Sequence, residues 1–338
     1  MVPALAVADA LRAEGAEVTF IGSGRAEAQL VPAAGFPLQR ISAEGLSRSN
    51  PLRALRALAL AAGAVPRARS LLARIAPDAV IGGGGYVAGP VGLAALSLRI
   101  PLILTEADSH LGLTNRLLAP FARRVCLAFP IAGREGGRYR VTGRPTPPPV
   151  QDRDAARAAL GLAPNETCVL VFGGSLGARS INLAAVEALA AGPFRVLHVS
   201  GRRDHAALAA RELRAGYELR DYLDHADFAE ALAAADLVVA RAGGSVFEIA
   251  AHGLPAILVP YPNASGDHQS ANARWMSQAG AAVVIADDAL SAARLAEEVS
   301  ALLADRDRLA AMAASAKRLA RPDAAREVAE EVLEAARG

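Results

Sequence analysis

The sequence predicts an α/β protein built from two parallel, doubly wound domains. Short apolar runs alternate with segments of helical period along the chain, and several of those runs end in glycine-rich turns that open a helix. At 338 residues the chain exceeds what one core usually serves and suits two domains of ordinary size. Strands separated by helices form parallel sheets covered by helices, and right-handed crossovers put the working loops at the carboxyl ends of the strands.

Taken in order, residues Met1 to Leu11 read as a helix, with Pro3 suited to its first turn. A doubly wound domain normally opens on a strand and a glycine-rich turn that feed this helix. The reading therefore expects the first strand of the N-terminal domain to be missing, most simply through a mis-assigned start codon. Strands follow at Glu17 to Ile21, Ala79 to Ile81, Leu102 to Thr105 and Val125 to Ala128. The longest apolar run, Tyr86 to Leu104, is interrupted by Pro90, Arg99 and Pro101, which suits a helix and then a strand better than a membrane span. Between Val141 and Pro149 four prolines forbid a helix and stiffen the chain, marking a linker. Further strands fall at Cys168 to Phe172, Arg195 to Val199, Leu237 to Ala240, Ala256 to Pro260 and Ala282 to Ile285. The expected domains are 1–146, joined by a returning helix at 322–338, and 147–321; that last amphipathic helix suits either domain.

Composition excludes several classes. Lys317 is the single lysine among 36 basic residues, so arginine-rich stretches reflect codon bias rather than a nucleic-acid surface. The net charge of +2 carries no polyanion signal, and no nucleic acid is expected as a partner. Cys126 and Cys168 lie in apolar runs with no CxxC and no histidine nearby, which reads as buried spectator thiols. No HxH or HExxH spacing occurs, and neither a metal nor a cofactor is expected.

Three segments carry chemistry. The run Val169 to Asn182 is an apolar strand ending in Gly173-Gly174-Ser175-Leu176-Gly177 and opening a helix. Its glycines let backbone N–H groups approach a diphosphate, Ser175 adds a hydroxyl, and the helix N-terminus adds positive potential; the alternative is a tight turn without ligand. A second strand, turn and helix runs from Leu237 to Ala250 through Gly243, Gly244 and Ser245. Glu248, one turn into that helix, suits two ribose hydroxyls or, alternatively, the helix dipole. Third, Pro260 to Asn272 is a polar loop rich in planar amides and acids, the groups that recognise sugar hydroxyls; Asp267 and His268 read equally well as an N-cap and its solvated neighbour.

In this order the three segments resemble the MurG family, glycosyltransferases that add N-acetylglucosamine to the lipid-linked muramyl-pentapeptide precursor of peptidoglycan. The N-terminal half adds Gly83-Gly84-Gly85-Tyr86-Val87-Ala88-Gly89-Pro90 and Gly112-Leu113-Thr114-Asn115-Arg116, both similar to family motifs. The resemblance implies a GT-B architecture, two Rossmann-like domains facing across a cleft, with inverting, metal-independent transfer. It implies UDP-N-acetylglucosamine as donor and undecaprenyl-pyrophosphoryl-muramyl-pentapeptide as acceptor. By position it puts Ser175 and Gly174 at the donor phosphates, the Leu223 backbone on uracil beside Tyr222, the Gly243 to Ser245 turn on the diphosphate, Glu248 on ribose and Gln269 on the sugar.

Departures from the family pattern also count. Its N-terminal glycine-histidine loop has no counterpart after Met1. The usual His-Glu-Gln-Asn reads Thr105-Glu106-Ala107-Asp108, and Gly-Asn-Pro-x-Arg reads Gly143-Arg144-Pro145-Thr146-Pro147, which moves the donor-side arginine to Arg144. The Gly-Gly-Ser turn is one residue shorter. With the usual base absent, Asp108, then Glu106 and His110, are the candidates for it, because all three lie just past a strand end; Asp108 is also counted among the donor-side residues. Leu46 to Pro77 mixes apolar residues with Arg48, Arg53, Arg56, Arg67, Arg69 and Arg74, the pattern of an interfacial helix on an anionic membrane surface, here the cytoplasmic leaflet. The alternatives are another GT-B glycosyltransferase, a non-hydrolysing UDP-sugar epimerase, or a donor-binding remnant without activity.

Overall fold

The computed structural model describes residues 1–24, 27–41, 51–174 and 176–338, with side chains for all of these except 51–62 and 265. Two compact units divide the chain, Met1–Pro147 with Arg321–Gly338, and Pro148–Ala320.

The first unit runs α1 (Val2–Ala13), β1 (Phe20–Gly22), α2 (Glu27–Ala33), β2 (Leu38–Arg40), α3 (Pro51–Ile75), β3 (Val80–Gly82), α4 (Gly85–Ser97), β4 (Leu102–Glu106), α5 (Leu113–Leu118), β5 (Arg124–Leu127) and β6 (Tyr139–Val141). Strands β1 and β2 pair in parallel, and β3-β4-β5-β6 form a separate parallel sheet. One edge each of β1 and β3 is bare among the described residues. Buried Leu71, Leu72, Val91, Leu102, Leu104, Leu118 and Val125 fill one face of the four-stranded sheet. On the other face Val7 and Leu11 of α1 meet Ile103, Cys126, Val328 and Val332.

The last of these residues belong to the final helix, Ala324–Arg337, which therefore packs on the first unit. Its apolar residues recur at helical spacing, and Glu331 holds Arg124 at 2.7 Å and Arg140 at 3.1 Å. Gly143 receives the returning chain: a Cβ there would lie 2.5 Å from Cβ of Arg321.

The second unit continues with α6 (Arg153–Ala159), β7 (Cys168–Phe172), α7 (Arg179–Ala188), β8 (Arg195–Val199), α8 (Arg202–Ala209), β9 (Tyr217–Arg220), α9 (His225–Ala234), β10 (Leu237–Ala240), α10 (Val246–Ala251), β11 (Ala256–Leu258), α11 (His268–Gln278), β12 (Ala282–Val284), α12 (Ala292–Ala304) and α13 (Arg306–Leu319). Its six parallel strands are ordered β12-β11-β10-β7-β8-β9. Strand order reverses between β7 and β10, where open α/β sheets bind ligands beyond their carboxyl ends. Leu170, Leu237, Val239 and Ile257 are wholly inaccessible, as expected for central strands covered on both faces.

Strands β2, β6 and β9 are absent from the sequence reading, and β1 begins at Phe20 rather than Glu17. All three are edge strands, and none has more than one fully buried residue. Solvent on an edge removes the apolar run that marks a central strand.

Candidate active site

Two glycine turns leave the second sheet side by side. Phe172, the last residue of β7, is the register partner of Ala240, the last of β10. Ser175 lies outside the described residues; its neighbours show how the first turn is built. Gly177 N–H donates to the Gly174 carbonyl at 2.9 Å, and Gly174 has φ +88° with open space where a Cβ would stand. Gly173 is forced by crowding, because its Cβ would fall 2.3 Å from the Ala178 nitrogen.

Behind this turn lies a buried polar network. Asn182, in α7, donates to the Ser200 carbonyl at 2.8 Å and to Asp204 at 3.0 Å, while its Oδ1 is 3.1 Å from His198 Nε2. His198 Nδ1 is 2.8 Å from the Tyr217 hydroxyl. Burial holds the His198 pKa down at about 4, with the His205 charge a smaller contribution. Asp204 is held low first by its hydrogen bond from Arg203. The network is neutral at the imidazole and rigid, which suits a support for the turn.

The second turn is anchored differently. Asn272, buried in α11, donates to the Ala242 carbonyl at 2.9 Å and to Gly243 O at 3.4 Å. The carbonyls of Gly243 and Gly244 accept the first bonds of α10, from Val246 at 3.2 Å and Phe247 at 3.3 Å. Ser245 occupies the N-cap without a side-chain capping bond, so its hydroxyl is not committed to the helix. Glu248 sits half-buried in the first turn of α10. Gln269 takes the Tyr261 N–H on Oε1 at 2.9 Å, and its Nε2 lies 3.9 Å from the Cβ position of Gly243. Asp267 holds the N-cap position of α11 in the left-handed conformation, at φ 54°, and makes no capping bond.

Tyr222 and Leu223 fall between β9 and α9, ahead of the capping Asp224. The ring of Phe228, in the first turns of α9, meets Phe172 edge-on at 5.0 Å, which brings this loop's helix to the end of β7. Arg202 stacks over Tyr222 at 5.0 Å. Gly174, Gly243, Gly244, Ser245, Glu248, Gln269, Tyr222 and Leu223 thus all belong to the carboxyl-end loops and helix starts of one sheet.

Asp108, Glu106, His110 and Arg144 belong to the first unit. Glu106 is almost fully buried and takes Ala107 N–H at 3.0 Å, Asp108 N–H at 3.2 Å, Gly112 N–H at 2.8 Å and Asn115 Nδ2 at 3.0 Å. Two of these donors fall on each carboxylate oxygen and occupy its acceptor sites, so Glu106 is a loop strut rather than a base. Asp108 is half-buried and His110 exposed in the loop that Glu106 ties down. Arg144 acts on the Met1 ammonium, whose pKa is lowered by burial first and by the Arg144 charge second. Among the described residues no group of three or more His, Cys, Asp or Glu side chains is placed to hold a metal ion. Both cysteines are free and buried, with pKa values pushed up to about 12 by desolvation.

Sequence reasoning gave no role to Asn272, Asn115 or Arg241, although each stands inside a segment singled out above. An amide that binds a backbone carbonyl has no spacing signature of its own.

Residues 1–127 match the glycosyltransferase family 28 N-terminal domain, and residues 168–328 match the family's C-terminal domain. The chain is 41% identical to the UDP-N-acetylglucosamine--N-acetylmuramyl-(pentapeptide) pyrophosphoryl-undecaprenol N-acetylglucosamine transferase of Moorella thermoacetica, over 98% of this chain and 94% of that one. It is 42% identical to the protein of the same name from Nitrosococcus oceani, over 99% and 95%. Among solved structures, Acinetobacter baumannii MurG matches with a TM-score of 0.77 and 31% identity, over 98% of this chain and 95% of that one. With both of its Rossmann-like units matched, the chain belongs to the MurG family of GT-B glycosyltransferases.

Proposed function

We propose that the protein transfers N-acetylglucosamine from UDP-N-acetylglucosamine to undecaprenyl-pyrophosphoryl-muramyl-pentapeptide, a step of peptidoglycan synthesis. The observation that carries this reading is the pairing of Phe172 with Ala240, which sets two glycine turns next to each other at the point of strand reversal. Backbone amides and helix starts there suit a diphosphate. Glu248 suits the ribose, Gln269 Nε2 the sugar, and the Tyr222-Leu223 loop the uracil, and Ser175 and Arg144 complete the donor side by their motif positions.

The acceptor hydroxyl attacks the anomeric carbon as the bond to the UDP oxygen breaks, with inversion. Its proton passes to a base within hydrogen-bond reach, and UDP leaves carrying the charge. Asp108 is assigned as that base, since Glu106 is already committed to four donors.

A lipid acceptor calls for attachment at the cytoplasmic membrane surface. No described helix is long and apolar enough to cross a membrane. Leu113, Leu117 and Phe121 stand 49%, 63% and 68% exposed at spacings of four, forming one apolar stripe flanked by exposed Arg116 and Arg123. On α3, Arg67, Arg69 and Arg74 face solvent while Ala68, Leu71 and Leu72 are buried; Arg48 and the side chains of Arg53 and Arg56 lie outside the described residues. The stripe, which runs from α5 into the 3-10 turn Ala119–Phe121, offers an apolar face in addition to the one the sequence reading placed on α3.

The test is transfer of labelled N-acetylglucosamine from its UDP ester to a lipid-linked muramyl-peptide, alongside calorimetric titration with UDP. Uptake of UDP with transfer to that acceptor is expected. Absence of UDP uptake would overturn the donor-site assignment, and UDP uptake with transfer only to other acceptors would overturn the acceptor.

A further inference from the structure

We infer that Arg241 is a positioning residue for the donor, a hub that locks the carboxyl ends of the second sheet into one register. The inference rests on the donor-site reading above. Arg241 follows β10 directly and precedes the Gly243-Gly244 turn by two residues, yet its side chain turns inward and is only 11% exposed. One guanidinium nitrogen donates to the Val259 carbonyl at 3.1 Å, the Pro260 carbonyl at 3.2 Å and Asp287 Oδ1 at 2.6 Å. The other donates to Ser180 Oγ at 2.9 Å, and Ser180 in turn donates to the same Asp287 oxygen at 2.7 Å. The plane also lies 5.4 Å from the Tyr261 ring.

Those partners come from three segments around the second glycine turn. Ser180 is in the first turn of α7, behind the first glycine turn; Val259 to Tyr261 extend β11; Asp287 follows β12. The chain of contacts continues outward, because the Tyr261 N–H holds Gln269 Oε1 and so aims Gln269 Nε2 over Gly243. A buried ion pair adds little net stability, since desolvation offsets its attraction. What an apolar residue of equal volume lacks is the rigid fork that binds the start of α7 and the segments after β11 and β12 at fixed angles. Misplacing binding groups by a fraction of an ångström lowers affinity while the fold survives.

The experiment compares Arg241→Lys, which keeps the charge and loses the fork, with Ser180→Ala, Asp287→Asn and the Arg241→Lys/Ser180→Ala double variant in the full chain. Donor KM, acceptor KM, UDP affinity and the urea midpoint are measured for each. A rise in donor KM of about tenfold is expected for Arg241→Lys, with acceptor KM unchanged and the preference for UDP-N-acetylglucosamine over UDP reduced. Ser180→Ala should give a smaller rise and add nothing in the Arg241→Lys background. An unchanged donor KM in folded Arg241→Lys, while the wild type binds UDP, overturns this inference alone; a wild type that takes up no UDP overturns the donor-site reading together with it. If Arg241→Lys does not fold, unchanged donor KM in both Ser180→Ala and Asp287→Asn overturns the inference equally.

Discussion

Gly177 and Ser200 touch backbone to backbone: a Cβ on Gly177 would sit 2.0 Å from the Ser200 carbonyl oxygen, and Gly177 has φ +75°. The loop after β7 is thereby pressed onto the loop after β8. No side chain fits between them. Gly177→Ala should therefore destabilise the protein by roughly 3 kcal/mol or more and weaken UDP binding, since both left-handed strain and overlap must be relieved by moving the turn. Urea unfolding with UDP titration checks this, and a midpoint equal to wild type would contradict the packing.

Glu106 and Asp108 sit two residues apart and should respond differently. Glu106→Ala strips the acceptors from three backbone N–H groups and Asn115, and should cost about 3 kcal/mol of stability. Asp108→Asn should leave the melting temperature near wild type and lower kcat by about 10²- to 10⁴-fold. Undiminished turnover in Asp108→Asn would remove it as the base.

His198 ties stability to pH. Its folded pKa of about 4 lies below the ordinary 6.5, so the unfolded chain binds the proton more tightly. The contribution is complete above about pH 6.5, shrinks as pH falls, and is lost by about pH 4, a change of about 3 kcal/mol. In His198→Gln, which carries no titrating group there, the stability curve should be flatter over that window. Parallel curves for the two proteins would refute the assignment.

Removing the exposed stripe should uncouple membrane contact from folding. The triple variant Leu113→Ser, Leu117→Ser, Phe121→Ser touches no core position and should keep its urea midpoint. Sedimentation with anionic phospholipid vesicles should show at least about tenfold weaker binding. Binding equal to wild type would move the docking face elsewhere.

Cys126 and Cys168 should resist alkylation in the folded protein, because burial leaves almost no thiolate at neutral pH. Mass spectrometry after iodoacetamide treatment should find both unmodified until denaturant is added. Rapid labelling of either in native buffer would show that its strand opens.

Much of this architecture is legible in the chain itself, for definite physical reasons. Central strands such as Val169 to Phe172 and Leu237 to Ala240 are covered on both faces, and only an unbroken apolar run satisfies that. Glycine turns directly after them let the backbone come close to an anion, which is the basis for proposing the donor phosphates there. These local patterns, with their order, suffice for the fold class and the family.

Tertiary structure alone decided the rest. The edge strands β2, β6 and β9 exist through pairing with a neighbour, not through their own side chains. The final helix was free in sequence to join either unit, and the Glu331 pairs with Arg124 and Arg140 go with its place on the first. Glu106 became a strut, and Arg241 a hub, only because residues far apart in sequence brought their amides, carbonyls and hydroxyls to the same point. Periodicity records which face of an element is dry; it carries nothing about which distant polar atom will satisfy a buried charge.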